Sequence, residues 1–143
     1  MFLGEYERGL DSKGRITLPA AFRDELGDDG AIITRGMDRC LFLFPRDFFE
    51  TWRQKIKALP LADRHSRNLR RHIFSGASDI APDGQGRINL PLWLRQYASL
   101  EGPVIVAGND SYVEIWNSQR WSEMRLEFED SAADAEAWAQ LGI

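Results

Sequence analysis

Cysteine is almost missing: the 143 residues contain one, Cys40, so no disulfide within the chain can support the fold. Cys40 lies between Arg39 and Leu41 in an apolar run without a nucleophile's setting, and a buried thiol in a reducing cytoplasm is expected. No stretch approaches the roughly eighteen consecutive apolar residues of a membrane span. The opening residues, Met1 to Arg8, lack a basic segment followed by a long apolar one, so no secretory signal is expected there. His65 and His72 are the only histidines, and no set of cysteines or carboxylates at metal-cage spacing accompanies them. There is no phosphate loop, nucleophile elbow or dinucleotide fingerprint either. The expectation is a protein with no catalytic residue, no metal, no cofactor and no small-molecule substrate.

An excess of positive charge is also lacking, since the net charge is −4. The average conceals a segregation. Residues 1–95 hold 16 Lys/Arg against 13 Asp/Glu, whereas residues 96–143 hold 2 against 9. The richest segment runs from Arg53 to Arg71, where seven cations oppose only Asp63. A basic face and an acidic tail are the implied surfaces.

What the chain does have is a repetition. Asp11-Ser12-Lys13-Gly14-Arg15-Ile16-Thr17-Leu18-Pro19 returns 72 residues later as Asp83-Gly84-Gln85-Gly86-Arg87-Ile88-Asn89-Leu90-Pro91. The register holds without a gap for about forty residues with about eleven identities, among them Gly30/Gly102, Gly36/Gly108 and Asp38/Asp110. The chain is two copies of one module. A unit of about forty residues is near the lower limit for folding alone, so the copies are expected to close half-barrels against each other about an internal pseudo-two-fold.

Within each copy the pattern predicts short elements. Phe2 to Leu10 reads as a strand, Ser12-Lys13-Gly14 as a tight turn, and Arg15 to Leu18 as a strand with Ile16 and Leu18 buried. Pro19 opens a short helix to Leu26. Ala31–Arg35 and Cys40–Phe44 form a hairpin, followed by helices from Pro45 and from about Ala62 to Phe74. The second copy repeats this, with strands at Ser78–Ala81, Arg87–Leu90, Val104–Ala107 and Tyr112–Trp116, and Ser118 capping a last helix. The five tryptophans fall in apolar patterns and are expected mostly in the core or at interfaces. Trp138 and Leu141 are the residues available to dock the acidic end. The expected organisation is a single compact domain over 1–143. It divides into a first repeat (1–50), a helical linker (51–73), a second repeat (74–122) and a C-terminal helix with acidic tail (123–143).

The motif that carries chemistry is Asp-x-x-x-Arg across a tight turn. Aspartate at the start of a turn accepts backbone N–H groups and reaches the arginine four residues on. A carboxylate gripping one edge of a planar guanidinium fixes its direction and leaves the other donors free. For one such motif, an internal salt bridge is a sufficient explanation. Two at equivalent places in a duplicated module argue that the geometry matters.

Tandem Asp-x-x-x-Arg motifs, each followed by an apolar-x-Leu-Pro and separated by helical residues, in a chain that opens Phe-Leu-Gly-Glu-Tyr, resemble the MraZ family of AbrB-like, swapped-hairpin regulators, and the resemblance covers essentially the whole chain. It implies an α+β fold, an internally duplicated swapped-hairpin β-barrel with a helical extension after each repeat. It implies a bacterial, cytoplasmic and nucleoid-associated DNA-binding regulator of the division and cell-wall gene cluster. Its partners would be double-stranded DNA bearing short, repeated G-rich boxes, and further copies of itself in a ring homo-oligomer.

The two turns differ in charge. The first sets Lys13 and Arg15 against Asp11, with Arg8 near in sequence; in the second, Arg87 only balances Asp83. A phosphate surface needs surplus cation. The first turn is therefore expected to face DNA, with Arg15, Lys13, Arg8 and Ser12 as DNA-binding residues. Asp11–Arg15 and Asp83–Arg87 are the structural pairs, and the second turn is expected to be mainly structural. An oligomeric interaction scaffold without DNA readout stays open as an alternative, and the Arg53–Arg71 segment is either a second DNA surface or a solvated helix face.

Overall fold

Two glycines set the turns on which the architecture depends. Gly14 and Gly86 take φ of 76° and 78°, left-handed backbone that a Cβ disfavours. The chain can therefore reverse tightly ahead of each arginine. The computed structural model describes residues 1–143. The first copy runs β1 (Glu5–Gly9), β2 (Arg15–Thr17), α1 (Ala20–Leu26), β3 (Ala31–Arg35), β4 (Leu41–Pro45), α2 (Arg46–Lys57) and α3 (Arg64–Gly76). The second runs β5 (Ser78–Ile80), β6 (Arg87–Asn89), α4 (Leu92–Tyr97), β7 (Pro103–Asn109), β8 (Tyr112–Asn117), α5 (Ser118–Ala132) and α6 (Ala135–Gln140).

The copies interleave. A six-stranded antiparallel sheet has the order β1-β7-β8-β4-β3-β5. The leading strand of each copy thus extends the hairpin of the other, β1 on β7 and β5 on β3. In the middle, β4 meets β8 with Leu41 opposite Ile115, Phe42 opposite Glu114 and Leu43 opposite Val113. Because Phe42 and Glu114 occupy equivalent places in the duplication, the pseudo-two-fold passes between them. It also passes between Ile16 and Ile88, which face each other where β2 pairs with β6. Reciprocal 2.9 Å hydrogen bonds from Leu18 N–H to the Gly86 carbonyl and from Leu90 N–H to the Gly14 carbonyl complete the exchange.

Hydrogen bonding does not close a barrel. The large sheet stays open with β1 and β5 as its edges, and β2–β6 stands apart as a two-stranded ribbon. Each ribbon strand is three residues long, and Pro19 and Pro91, just beyond, have no N–H to continue a ladder. Side chains bridge the gap instead. Ile16, Leu18, Ile88 and Leu90 pack with Ile33, Leu41, Leu43, Val104, Val113 and Ile115 in a core of 18 buried residues.

Strand alternation sends Phe42 and Phe44 to the opposite face. There they join Cys40 and Trp116 in a second cluster, covered by Phe48 and Trp52 of α2 and by Trp121 and Met124 of α5. The helical extensions thus have a physical role, since each covers apolar surface that the hairpins leave on their outer side. No helix is long and apolar enough to cross a membrane.

Three local expectations need correction. The cap of α5 is Asn117, whose side chain accepts the Arg120 N–H at 3.0 Å. Asn117 is extended with ψ of 133°, as a cap must be, while Ser118 is already helical. Trp93 stands exposed outside both core clusters, because its indole N–H reaches the Gly76 carbonyl at 3.2 Å and leaves the ring in water. At the C-terminus, Trp138 donates to the Ala132 carbonyl at 2.7 Å, but Leu141 is exposed and docks nothing in the core.

Candidate nucleic-acid interface

The β2–β6 ribbon turns one face inward and one outward. Ile16 and Ile88 are buried, so alternation places Arg15, Thr17, Arg87 and Asn89 on the outer side. The register sets Arg15 opposite Asn89 and Thr17 opposite Arg87. Both arginines therefore lie on one surface, related by the pseudo-two-fold. The two turns thus differ in charge and not in direction.

Each arginine is steered by its own aspartate. Oδ1 of Asp11 accepts the N–H groups of Lys13 and Arg15, both at 2.9 Å, and Oδ2 accepts Arg15 Nε at 2.8 Å. Asp83 repeats the arrangement with the N–H groups of Gln85 and Arg87 at 2.9 Å and Arg87 Nε at 2.8 Å. The grip uses only the Nε edge. The terminal amines of Arg15 and Arg87 form no hydrogen bond within the chain, and the side chains are 24% and 29% exposed. Four donors of fixed direction are left for a ligand. Planar acceptors such as phosphate, or O6/N7 of guanine, match that fork.

The same contacts set the charge of the carboxylates. The Arg87 backbone N–H, followed by that of Gln85 and the Arg87 guanidinium, pulls Asp83 down to about 2. The Arg15 backbone N–H and then its guanidinium likewise lower Asp11. A carboxylate held ionised and fully committed to donors is a poor proton carrier near neutrality, which argues against a catalytic carboxylate pair.

Because the folded-state value is depressed, the grip is present above the ordinary aspartate value of about 4. It is lost as pH falls through the folded value. In an acid titration followed by NMR, the Arg87 Nε–H signal should persist at pH 4 and disappear with a midpoint near 2. A midpoint at the ordinary aspartate value would show that Asp83 does not hold the guanidinium.

The remaining candidates have distinct places. Lys13 and Ser12 are exposed at the tip of the first turn. Arg8 is partly committed: its Nε donates to the Thr17 carbonyl at 3.1 Å and its guanidinium lies 5.6 Å from the Tyr6 ring centre. It therefore borders the ribbon and ties β1 to β2. In the Arg53–Arg71 segment, Arg67 donates to the Leu61 and Ala62 carbonyls and Arg70 to that of Lys57. Arg53 pairs with Glu50 at 2.9 Å. Arg67 and Arg70 thus brace the α2–α3 connection and Arg53 is paired within α2, while Lys55, Lys57 and Arg64 have no acidic partner. Cys40 is buried, and its burial pushes the thiol well above its usual range.

Two residues of the ribbon's surroundings are absent from the sequence-based set. Arg23 of α1 donates to the Gln85 carbonyl at 3.3 Å, and Arg95 of α4 donates to the Leu90 carbonyl at 2.8 Å. The signal was present, because Arg23 and Arg95 are one of the identities in the duplication. Its meaning was not, since nothing in the local pattern says that each helix crosses to the other copy's turn.

Comparison with known proteins adds an independent finding. The family model described as "MraZ protein, putative antitoxin-like" matches twice, at residues 1–72 and 73–141. The chain is 46% identical to "Transcriptional regulator MraZ" of Herpetosiphon aurantiacus over 144 residues, spanning 100% of both chains. It is 45% identical to the protein of the same name from Roseiflexus castenholzii over 137 residues, 96% of this chain and 92% of the relative. A third, from Clostridium acetobutylicum, is 41% identical over 143 residues, again 100% of both.

Proposed function

The chain belongs to the MraZ family, and from that premise we propose that it is a DNA-binding transcriptional regulator of the division and cell-wall gene cluster. It acts in the cytoplasm at the nucleoid, as a ring homo-oligomer on short, repeated G-rich boxes. The names of its relatives as transcriptional regulators support the role. The observation that carries the DNA reading is the ribbon itself. Two guanidinium groups stand on one outer face, each held by an aspartate at Nε and each with its terminal amines unused.

In this reading Lys13 attracts phosphate, and Arg15 makes either a phosphate contact or a bidentate contact to guanine. Ser12 stands at the tip of the first turn, Arg8 flanks it, and Arg87 contributes from the second. The interleaved strands support a swapped-hairpin origin for the fold. The repeats at 1–50 and 74–122, the linker at 51–73 and the C-terminal part at 123–143 are its proposed divisions.

An interaction scaffold without DNA readout is the second reading. It is favoured by the acidic α5, where Leu126 and Phe128 are 68% and 41% exposed. Genome-wide crosslinking of the protein to DNA separates the two. A regulator is expected to give one strong peak beside its own gene, and a scaffold none.

A further inference from the structure

The turns carry more charge than their own motifs supply. Arg95 lies directly over the first turn. A Cβ built on Gly14 would sit 2.7 Å from Arg95 Cζ and 2.8 Å from its Nε. Arg23 lies over the second turn, where a Cβ on Gly86 would be 1.5 Å from Arg23 Nη1. Glycine at these two positions therefore serves twice, allowing the left-handed turn and making room for an arginine from the other copy. Neither Arg23 nor Arg95 has a carboxylate within salt-bridge distance, although both are half-buried. Their known acceptors are single backbone carbonyls, Gln85 for Arg23 and Leu90 for Arg95. A half-buried guanidinium with a neutral partner keeps its charge uncompensated and most of its donors unused.

We propose that Arg23 and Arg95 are DNA-binding residues acting across the duplication, Arg95 completing the phosphate site of the Lys13–Arg15 turn and Arg23 that of the Arg87 turn. The inference rests on the DNA-binding reading above and extends it to two helix residues. Each arginine does two things. Its packing over glycine holds the turn in the conformation from which the aspartate-steered arginine projects, and its free amines add a cation beside it. The first site then holds Lys13, Arg15 and Arg95; the second holds Arg87 and Arg23. In this way both copies are needed to build either site.

The test uses the full chain, a promoter fragment from upstream of its own gene, and anisotropy titrations from 50 to 200 mM salt. Each phosphate contact contributes about 0.9 to the slope of log affinity against log salt. If about four subunits engage, Arg95→Met should reduce the slope by about 3.5. Arg95→Lys should recover most of the slope, because it restores the charge. In double-mutant cycles Arg95 should couple with Arg15 and combine additively with Arg87, while Arg23 should couple with Arg87.

A role limited to holding the turn would weaken binding without changing the slope. An unchanged slope in Arg95→Met and Arg23→Met, with the oligomer and melting temperature intact, would overturn the proposal and leave the ribbon's DNA-binding role standing. If Arg95→Met unfolds the chain, Arg95→Lys and the Arg23 variants decide. No salt-dependent binding by the unaltered chain would overturn both readings together.

Discussion

A promoter fragment cut to a single box is expected to lose nearly all affinity for the protein at physiological salt. The reason lies in how little one ribbon offers. Counting only the Lys13 and Arg15 contacts of the first turn, one subunit gives a log–log salt slope near −2, and binding is feeble. Four subunits on four boxes reach about eight contacts and a slope near −7. Once one subunit is bound, its neighbours meet their boxes at an effective concentration that can reach the millimolar range, so weak sites combine into firm binding. Anisotropy titrations on fragments with one, two, three and four boxes should therefore give affinities and slopes that rise together. Undiminished binding to one box would remove the physical reason for a ring on a repeated operator.

Replacing Arg15 by alanine should cost at least a hundredfold in affinity for a multi-box fragment, with the oligomer unchanged. A hydrogen bond to a charged group contributes about 1.5–3 kcal/mol. Losing one in each of two or more engaged subunits exceeds the roughly 2.7 kcal/mol of a hundredfold change. The fold should tolerate the change, because the Arg15 side chain is partly exposed and its salt bridge is a surface pair of small net worth.

Arg87→Ala should be milder, nearer tenfold. Its guanidinium is presented in the same way, but its turn has glycine and glutamine where the first has Lys13. Mobility shifts of both variants, with gel filtration to verify assembly, decide the matter. Equal losses would mean that surplus charge at the first turn does not set its share of binding.

The two variants also show where sequence reasoning stopped. The direction of the second turn was not legible in it. Charge counting along the chain separated the motifs, but Ile16 and Ile88 both have to be buried, and that single requirement brings Arg15 and Arg87 to the same face. Arg23 and Arg95 were missed for a related reason. Their identity across the duplication was visible, yet their importance comes from glycines 63 and 81 residues away in sequence, Gly86 lying close to Arg23 only by one strand exchange, as Gly14 does to Arg95. The closed barrel was expected from the pairing of two modules, and the shortness of β2 and β6 left side-chain packing to do what a continuous ladder would have done.

The sequence by itself determined the duplication, the elements of each copy and the aspartate's hold on its arginine. The elements and the aspartate's hold depend on residues within about four positions of one another, where backbone preference and spacing decide. Tertiary structure alone decided which copy lends a strand or a helix to which, and hence that both turns share one surface beneath arginines from the opposite copy. Such pairings bring together groups more than forty residues apart, and only burial of the common core selects among them.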